Sequence, residues 1–588
     1  MHAGVTRQAV GPPVPDTTDR VTVAPQPSPS PSPSPSPSPS PSPSPSEPLT
    51  SEQLGRVTAL LEQIAADRAV LVPFPQVDRQ RFLDAIAQVF HPDAKARRSM
   101  VKATTRERKA AAAVRDDSVL SETGIRALRR KPVFTTPNVY PPALPLPDEP
   151  GHPVEQSVSP AAGDASTAVV PQHCYICKQK FTTIHHFYDQ MCTPCAEFNF
   201  AKRTELADLS GRTALLTGGR VKIGYQAGLK LLRAGARLLV TTRFPRDSAL
   251  RYAAEPDFAQ WRDRLQVFGL DLRHTPSVEA FCQELLRSES RLDYIINNAC
   301  QTVRRPPAFY AHMMGAEQAS LRDVPPTAHA LLQSYEALRD RERTHATGSG
   351  TDRALESRDR PDGLDNPAHA AVSTPGTRPA GAVAPKGLMD AAALSQVPLL
   401  PGETLQSEHL FPVGKLDQDL QQIDLRERNS WRLLLDEVPS VELLEVQLVN
   451  AIAPFIINAR LKPLMLRTDN HDKHVVNVSA MEGQFYRNNK TTRHPHTNMA
   501  KAALNMMTRT SAADYQQDGI HMNSVDTGWI TDEDVVELAA RKLENHRFHP
   551  PLDIVDGAAR IVDPIIDGMN SGRHVWGQFL KDYQPTDW

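Results

Sequence analysis

The chain has 588 residues, a net charge of −2 at pH 7 and a hydrophobic content of 40%. This length and content allow several domains with at least one sizeable core, and the near-neutral charge gives the whole chain no general attraction for nucleic acid or membranes. No apolar run approaches the roughly 18 residues of a membrane-spanning helix, and the first residues lack the layout of a secretory signal. We therefore expect a soluble, cytoplasmic protein.

The N-terminal third contains a low-complexity leader and a helical region. Pro and Ser alternate from Pro27 to Ser46, which predicts an extended spacer with nothing to bury and a disordered segment over 1–50. Residues 51–131 show helical spacing, with Leu54, Val57 and Leu60 on one stripe. Lys and Arg are frequent from 95 to 131, but no aromatic residue is interleaved. This pattern is typical of a solvated helix face, so nucleic acid is not an expected partner.

Two further stretches interrupt the ordered regions. Residues 132–170 are rich in Pro and small polar residues, which predicts a linker. Residues from about 343 to 400 have a similar composition and predict a disordered segment inside the large C-terminal region.

Four of the six cysteines form two Cys-x-x-Cys pairs, Cys174 with Cys177 and Cys192 with Cys195, separated by fourteen residues. Two chelating pairs at this spacing are typical of a structural zinc site with four thiolates, which predicts a zinc knuckle over 171–205. Because the cysteines complete the coordination shell, we expect His185 and His186 to lie outside it. The knuckle would cap the following domain or bind a protein partner.

From Gly211 the sequence predicts a buried strand, a glycine turn, an amphipathic helix and a second strand. Glycines in such a turn let the backbone approach a pyrophosphate, and the helix N-terminus offers amide hydrogens and positive potential. The turn contains Thr217, Gly218, Lys222 and Gly224. It resembles the short-chain dehydrogenase/reductase family, whose turn reads Thr-Gly-x-x-x-Gly-x-Gly, with Lys222 in place of the middle glycine. The resemblance implies an α/β fold, a Rossmann-type doubly wound parallel sheet over 208–588.

Further segments match the family in order: LQVFGLDL, LDYIINNAC, a long apolar helix around Asn450, HVVNVSAMEGQF, HTNMAKAALN and HMNSVDTGWITDE. An insertion at about 302–430 separates the second from the third. By resemblance, the coenzyme-binding residues are Thr217, Gly218, Arg220, Lys222, Ile223, Gly224, Arg243, Asp271, Leu272, Asn297, Ala299, Lys501, Gly528, Ile530 and Thr531. Arg243 at the end of the second strand favours NADP(H) over NAD(H), because NAD-binding members carry an acid there.

The family's catalytic set is only partly present. The resemblance places Asn450, Ser479 and Lys501 in the active site, but Ala480 stands at the serine position and Thr497 at the tyrosine position. An aliphatic hydroxyl is too weak an acid to donate the proton that a tuned tyrosine donates. Tyr486, which forms a Tyr-x-x-x-Lys match with Lys490, or His494 or His496, would have to replace it from the loop.

These observations favour an atypical NADP(H)-dependent oxidoreductase acting on the carbonyl or alcohol of a small molecule. The alternative is a catalytically degenerate nucleotide-binding scaffold or regulatory protein that uses the knuckle or the insertion to bind a protein partner. Family members usually pair through the helices that correspond to those of Asn450 and Lys501, which implies a homodimer or homotetramer.

Overall fold

The computed structural model describes residues 50–134, 136, 166–348, 387–403, 409–487, 490–531, 533 and 549–588. The predicted disordered leader, except for Thr50, and most of the predicted linker and of the 343–400 segment lie outside the described residues. The chain divides into two compact units, residues 1–103 and 104–588, which are described separately.

The first unit contains helices α1 (Ser51–Ala66) and α2 (Gln76–Phe90) and the beginning of α3 (Ala94–Ser121). Thr50 and Gln53 start α1 with a reciprocal capping box, which satisfies amide groups that a helix N-terminus leaves open. Leu54, Val57 and Leu60 of the predicted apolar stripe are 49–60% exposed. The helical prediction thus agrees with the structure, whereas the stripe has no buried core of its own within this unit.

The described part of the second unit contains ten strands. They are β1 (Thr167–His173), β2 (Lys180–Thr183), β3 (Thr213–Thr217), β4 (Arg237–Thr242), β5 (Leu265–Gly269), β6 (Tyr294–Asn297), β7 (Lys473–Ser479), β8 (Ile520–Asp526), β9 (Phe579–Lys581) and β10 (Gln584–Thr586).

The helices of this unit follow in chain order. After the end of α3 come α4 (Gly124–Arg130), α5 (Thr193–Thr204), α6 (Lys222–Arg233), α7 (Pro245–Ala253), α8 (Phe258–Trp261), α9 (Thr275–Ser288), α10 (Pro307–Gln318), α11 (Pro326–Gly348), α12 (Ala391–Leu394), α13 (Ser440–Gln447), α14 (Ala453–Met465), α15 (Pro495–Gln517) and α16 (Ile554–Ser571).

Strands β3 to β10 form one eight-stranded sheet in the order β10-β9-β8-β7-β6-β3-β4-β5. Every neighbouring pair is parallel except β9 and β10. The chain passes from one side of β3 to the other between β5 and β6, which creates the topological switch point where α/β sheets bind ligands. The predicted α/β class with a mainly parallel, Rossmann-type sheet is confirmed.

The sheet has a buried core on each face. Leu215 and Leu239 contribute to one apolar cluster, and their neighbours Leu216 and Val240 contribute to the other. This alternation follows from the two-residue period of a strand, so the near-continuous apolar runs in the sequence belong to strands covered on both faces. Helix α16 packs beside α6, and α14 packs beside α9.

The stretch Ser440–Met465 is long and apolar enough to cross a membrane by length and composition. Ile457, Leu461 and Leu464 within it are fully buried in the core of the α/β region. We therefore assign the stretch to the core, and the cytoplasmic location stays a prediction.

Parts of the predicted insertion are ordered helices. Helices α10 and α11 pack against α7, and α11 also packs along β5. Within the range predicted to be disordered, α11 continues to Gly348 and α12 lies among residues 387–403. The insertion therefore covers the side of the sheet that carries β4 and β5.

Candidate functional site

In the turn after β3, the backbone packs so closely against neighbouring backbone atoms that side chains have no room at two positions. Gly218 has φ +71°, and a Cβ there would lie 2.9 Å from the Cα of Ala299. A Cβ on Gly224 would lie 2.2 Å from the carbonyl oxygen of Gly218. Both positions therefore require glycine, and α6 begins directly behind the turn, where its open amide groups and dipole attract phosphate.

Lys222 occupies a backbone conformation that normally belongs to glycine. Its φ is +55° at the first position of α6, where an L-residue costs roughly 1–2 kcal/mol. The sequence shows lysine at the family's middle glycine, and the structure keeps the glycine-like conformation. The next residue, Ile223, packs against the apolar cluster around the cysteines.

The two arginines predicted to select the coenzyme have partners from the insertion. Arg243 donates to the phenol oxygen of Tyr310 at 2.6 Å, and its guanidinium lies 4.6 Å from the centre of that ring. Arg220 is buried and donates to Asp247 at 2.6 Å and to Gln421 at 2.5 Å. The charge of Arg220 is balanced by the carboxylate of Asp247. Arg243 bonds to a phenol, and its charge also acts on the buried carboxyl of Asp271.

Asp271 and Leu272 follow β5 at the same edge of the sheet. Burial raises the pKa of the Asp271 carboxyl, but hydrogen bonds and charge from Arg273 outweigh burial and lower it below its usual value. The nearest bond from Arg273 is 2.6 Å long, and Arg273 also pairs with Glu445 at 2.8 Å. Leu272 is buried in the core. The coenzyme contact predicted for Asp271 would have to share this carboxylate with Arg273.

The residues at the end of β6 make two separate sets of hydrogen bonds. They are Asn297, Asn298 and Ala299. The Asn297 amide donates to Asn458 at 2.9 Å and to Asn477 at 2.8 Å, so it ties β6 to β7 and α14. Asn298 instead donates to the carbonyl oxygens of Thr217 and Gly218, and the Ala299 amide donates to the Thr217 hydroxyl at 3.1 Å. Asn298 was missing from the predicted binding set, although it holds the glycine turn in place.

Asn450 lies in a π-helical turn, Leu448–Ile452, between α13 and α14. Its side chain accepts from the backbone amide of Gln301 at 2.8 Å and donates to the carbonyl oxygen of the same residue at 3.1 Å. Widened turns of this kind are frequent at functional sites. Asn450 is thereby fixed against the segment that follows β6, at the switch point of the sheet.

Ser479 and Lys501 come together at the end of β7. The Lys501 ammonium donates to the carbonyl oxygen of Val478 at 2.8 Å, and both Lys501 and Ser479 are buried. The Ser479 Oγ and Thr497 Oγ1 atoms are buried without a hydrogen-bond partner among the described residues. Unpaired buried hydroxyls are costly, so this end of the sheet is suited to a bound polar molecule.

The alternative proton donors are in different surroundings. Tyr486 is 95% exposed and is not brought together with the buried Ser479 and Lys501. The His494 ring stacks on Trp431 at 3.8 Å, and burial lowers its pKa to about 4. His496 is buried with its Nε2 3.4 Å from a carboxylate oxygen of Glu442.

Asp526 is a buried titratable group that the sequence prediction missed. It ends β8 in register with Ser479 on β7 and accepts from the Met481 amide at 3.2 Å. Burial raises its pKa to about 6, against the opposing charge of Lys581. A carboxyl with this pKa can exchange a proton near neutral pH. An acid at the carboxyl end of a predicted strand, directly before Thr527 and Gly528, was the signal available in the sequence.

The loop after β8 carries the last predicted coenzyme residues. Gly528 has φ +79°, a conformation suited to glycine. Ile530 is buried in the apolar cluster that contains Cys174, and the Thr531 hydroxyl donates to Glu533 at 2.7 Å. The loop is thus held between the α/β core and the cysteine region.

The four cysteines form one cluster in which their Sγ atoms all lie within 4.8 Å of one another. Cys174 and Cys177 lie in the turn between β1 and β2, and Cys192 caps the N-terminus of α5. His185 is buried beside the cluster, and its Nδ1 accepts from the Phe187 amide at 3.1 Å. The donor set is four thiols, which suits the closed tetrahedral site of a structural zinc ion.

Buried ion pairs join the cysteine region to α16. Arg203 at the end of α5 pairs with Asp553 at 2.7 Å and with Asp556 at 2.9 Å, and the Tyr188 hydroxyl donates to Asp556 at 2.5 Å. Arg129 of α4 donates to the carbonyl oxygen of Leu552 at 2.7 Å. The knuckle therefore packs against the α/β region.

Comparisons with known proteins found a matching family and similar sequences and structures. Residues 434–550 match the family described as enoyl-(acyl carrier protein) reductase. The chain is 38% identical over 106 residues to retinol dehydrogenase 14 of Mus musculus, an alignment covering 16% of this chain and 30% of that enzyme. It therefore spans about a third of the length of this relative.

Two other similarities cover more of the chain. An uncharacterized protein of Acanthamoeba polyphaga mimivirus, R665, is 28% identical over 424 residues, covering 69% of this chain and 74% of the viral protein. The solved NADP complex of Pseudomonas aeruginosa RhlG is 16% identical and covers 63% of this chain and 95% of its own, with a TM-score of 0.34.

Proposed function

We propose that the α/β region of this chain, which belongs to the short-chain dehydrogenase/reductase family, is an atypical NADP(H)-dependent oxidoreductase. In this proposal the region comprises residues 208–588 with an insertion at about 302–430. The leader (1–50), the helical region (51–131), the linker (132–170) and the knuckle (171–205) precede it. The coenzyme would exchange hydride with the carbonyl or alcohol group of a small molecule.

The observation that carries the proposal is the turn between β3 and α6. Gly218 and Gly224 leave no room for a Cβ, Asn298 clamps the turn, and the helix N-terminus lies behind it. This arrangement brings backbone amides to a pyrophosphate at the switch point of the sheet. The residues present therefore fit a dinucleotide.

The positive charge of Arg243 supports NADP(H) as the coenzyme. Its guanidinium lies at the end of β4 and donates to the phenol of Tyr310. A 2′-phosphate would replace the phenol as a charged partner and gain a charge-assisted hydrogen bond. A 2′-hydroxyl gains much less from the same guanidinium.

The protein's own part in catalysis would fall to groups at the ends of β7 and β8. Lys501 is anchored to the carbonyl oxygen of Val478 and would hold the ribose, and Asn450 would hold a relay water next to Gln301. Ser479 has an unpaired Oγ that would polarise the substrate oxygen, and Asp526 adds a carboxyl whose pKa is near neutrality. Thr497 remains too weak an acid to replace the family tyrosine.

A titration tests the coenzyme assignment. We expect the purified chain to bind NADPH more tightly than NADH in calorimetry, and a panel of carbonyl compounds would then be screened for turnover. Arg243→Ala should weaken NADPH binding about 10- to 100-fold, since it removes a charged hydrogen bond, while changing NADH binding little.

The matched control is Arg237→Ala at the opposite end of β4, where the arginine pairs with Glu289; it should leave the NADPH to NADH ratio unchanged. Equal losses for the two coenzymes in Arg243→Ala would remove the NADP(H) assignment. Coenzyme binding without any turnover would instead favour the nucleotide-binding scaffold. Ala480 at the serine position and Thr497 at the tyrosine position support that alternative.

We further propose that the cysteine cluster binds a structural zinc ion. Burial raises the pKa of the Cys174 thiol, but hydrogen bonds from backbone amides of the cluster outweigh burial and lower it to about 7. Thiolate formation is thus already favoured at one ligand, and a closed set of four leaves no open position for substrate.

The expected stoichiometry is one zinc per chain by elemental analysis, with loss of the metal in a variant lacking Cys192 and Cys195. The homo-oligomeric state stays a prediction.

A further inference from the structure

Tyr175 joins the cysteine cluster to the loop after β8. It lies between Cys174 and Cys177, and its phenol oxygen accepts a hydrogen bond from the backbone amide of Trp529 at 3.1 Å. A Cβ on Gly528 would lie 3.4 Å from the same oxygen. The phenol therefore touches the backbone of the loop that carries Gly528, Ile530 and Thr531.

The apolar contacts follow the same path. Cys174 and Met191 of the knuckle share one buried cluster with Ile530, Leu552 and Ile554. Ile530 belongs to the coenzyme loop, and the other two flank the beginning of α16. A shift of the knuckle would therefore be transmitted to the loop through packed side chains.

The position of Tyr175 depends on the turn that holds the cysteines. The Tyr175 amide donates to the carbonyl oxygen of Gln190 at 2.8 Å, and Cys174 closes the turn by bonding Gln179 at 2.9 Å. A metal bound by four thiolates at about 2.3 Å each would fix the residues on both sides of Tyr175. Without the metal, four thiol groups within 4.8 Å have no common ligand to hold them together.

We infer that metal binding by Cys174, Cys177, Cys192 and Cys195 and coenzyme binding by the α/β region are positively coupled through the hydrogen bond between Tyr175 and the Trp529 amide. Tyr175 is then a positioning residue for the half of the coenzyme that this loop contacts. The inference rests on the proposed coenzyme. Coupling between two sites is reciprocal, so the metal strengthens coenzyme binding by the same factor by which the coenzyme strengthens metal binding.

The coupling is measured from the metal side with the full, zinc-loaded chain. A chromogenic chelator competes for zinc in the presence of NADPH, of adenosine 2′,5′-bisphosphate, or of neither. We expect NADPH to increase the apparent zinc affinity about 5-fold, the size of one hydrogen bond of about 1 kcal/mol. Adenosine 2′,5′-bisphosphate lacks the nicotinamide half and should give no protection.

Tyr175→Phe isolates the hydrogen bond, because it keeps the ring and all four cysteines and removes only the acceptor oxygen. It should bind zinc, lose the protection by NADPH, and bind NADPH about 5-fold more weakly while binding adenosine 2′,5′-bisphosphate as before. The control is Tyr515→Phe, which removes a phenol bonded to the carbonyl oxygen of Asn458 at 3.0 Å between α15 and α14. It should change none of these affinities.

The outcomes separate this inference from the proposed function. Two results would overturn the coupling through Tyr175 and leave the coenzyme assignment standing. In the first, the unaltered chain binds NADPH but its zinc affinity does not increase with NADPH. In the second, Tyr175→Phe retains the full increase in zinc affinity. Equal protection by NADPH and by adenosine 2′,5′-bisphosphate would also overturn it. If the unaltered chain binds no nicotinamide coenzyme, the proposed function and the inference fall together.

Discussion

Lys222 shows how a single residue can depart from a family pattern without changing the backbone. The family glycine is absent, yet φ remains +55°, so the turn keeps its path and the lysine bears the strain. Gly218 and Gly224 on either side cannot be replaced in the same way, since a Cβ at either would collide with backbone atoms. Lys222 therefore keeps a backbone conformation that favours glycine, with a side chain that is only partly buried.

Substitutions at Lys222 should reverse the usual order of helix preference. We expect Lys222→Gly to be more stable than Lys222→Ala by about 0.5–1 kcal/mol, because glycine relieves the left-handed conformation although it gives the unfolded chain more freedom. Urea unfolding followed by circular dichroism measures the difference. At Arg509, an exposed position inside α15, Ala should be more stable than Gly by about 1 kcal/mol. The same order at both positions would contradict the strain.

Sequence patterns grouped the residues of the candidate site but did not reveal the contacts that some of them make. Spacing alone grouped Cys174 with Cys177 and Cys192 with Cys195, and the glycine turn placed Arg220 and Arg243 at one edge of the sheet. Tyr310 and Gln421, which bond these arginines, lie 67 and 201 residues away in sequence. No local pattern encodes such contacts, because they depend on how the insertion folds back over β4 and β5.

Among the helices and strands, regular periodicity was the reliable guide. The βαβ opening and the ordered series of later strands were predictable because each buried strand is a short apolar run between turns. The π-helical turn at Asn450 and the helices within the insertion were not predictable in this way. A widened turn and a Pro-rich helix start leave no distinct spacing of apolar residues in the sequence. Ser479 lies in register with Asp526, and Lys501 bonds to Val478, only because β7, β8 and α15 are adjacent in space.

The amino ends of β7 and β8 carry a cluster of histidines far from the candidate site. His474 is fully buried, and its Nε2 lies 2.9 Å from the Nδ1 of His574, whose ring stacks on that of His521. Burial lowers the pKa of all three rings, and for His474 the neighbouring histidines lower it further. The folded protein therefore binds protons at these rings less readily than the unfolded chain does.

This cluster predicts acid sensitivity. Each histidine with a lowered pKa contributes stability that is present above the unfolded value of about 6.5 and is lost as the pH falls below it, because only the unfolded chain takes up the proton. We expect the free energy of unfolding to fall steeply below about pH 6. His474→Asn should flatten that slope by up to about 1.4 kcal/mol per pH unit. Urea unfolding at several pH values checks this; parallel slopes in the two proteins would exclude a role for His474.

The second unit as a whole depends on contacts between its two ends. Arg203 is fully enclosed between Asp553 and Asp556, and Asp553 also accepts from the amides at the start of α16. Removal of the arginine would leave two buried carboxylates without their shared ion-pair partner. Knuckle and sheet are therefore expected to unfold together.

Removing Arg203 should destabilise the entire unit. We expect Arg203→Met to lower the free energy of unfolding by about 3–5 kcal/mol, the typical loss when one partner of a buried ion pair is deleted. Arg237→Met is the control, because its pair with Glu289 is partly exposed and should contribute about 1 kcal/mol or less. Guanidinium denaturation followed both by tryptophan fluorescence and by circular dichroism measures the loss. Two separate transitions would show instead that the knuckle unfolds on its own.

The distance along the chain between these partners also sets an order of events during translation. Arg203 precedes Asp553 by 350 residues, so a ribosome releases the knuckle long before it has synthesised α16. The cysteine hairpin can close locally at once, but the apolar cluster of Met191 lacks Leu552 and Ile554 until α16 emerges. Docking is therefore a late, non-local step, and nascent chains that stop before α16 should be the ones that chaperones retain.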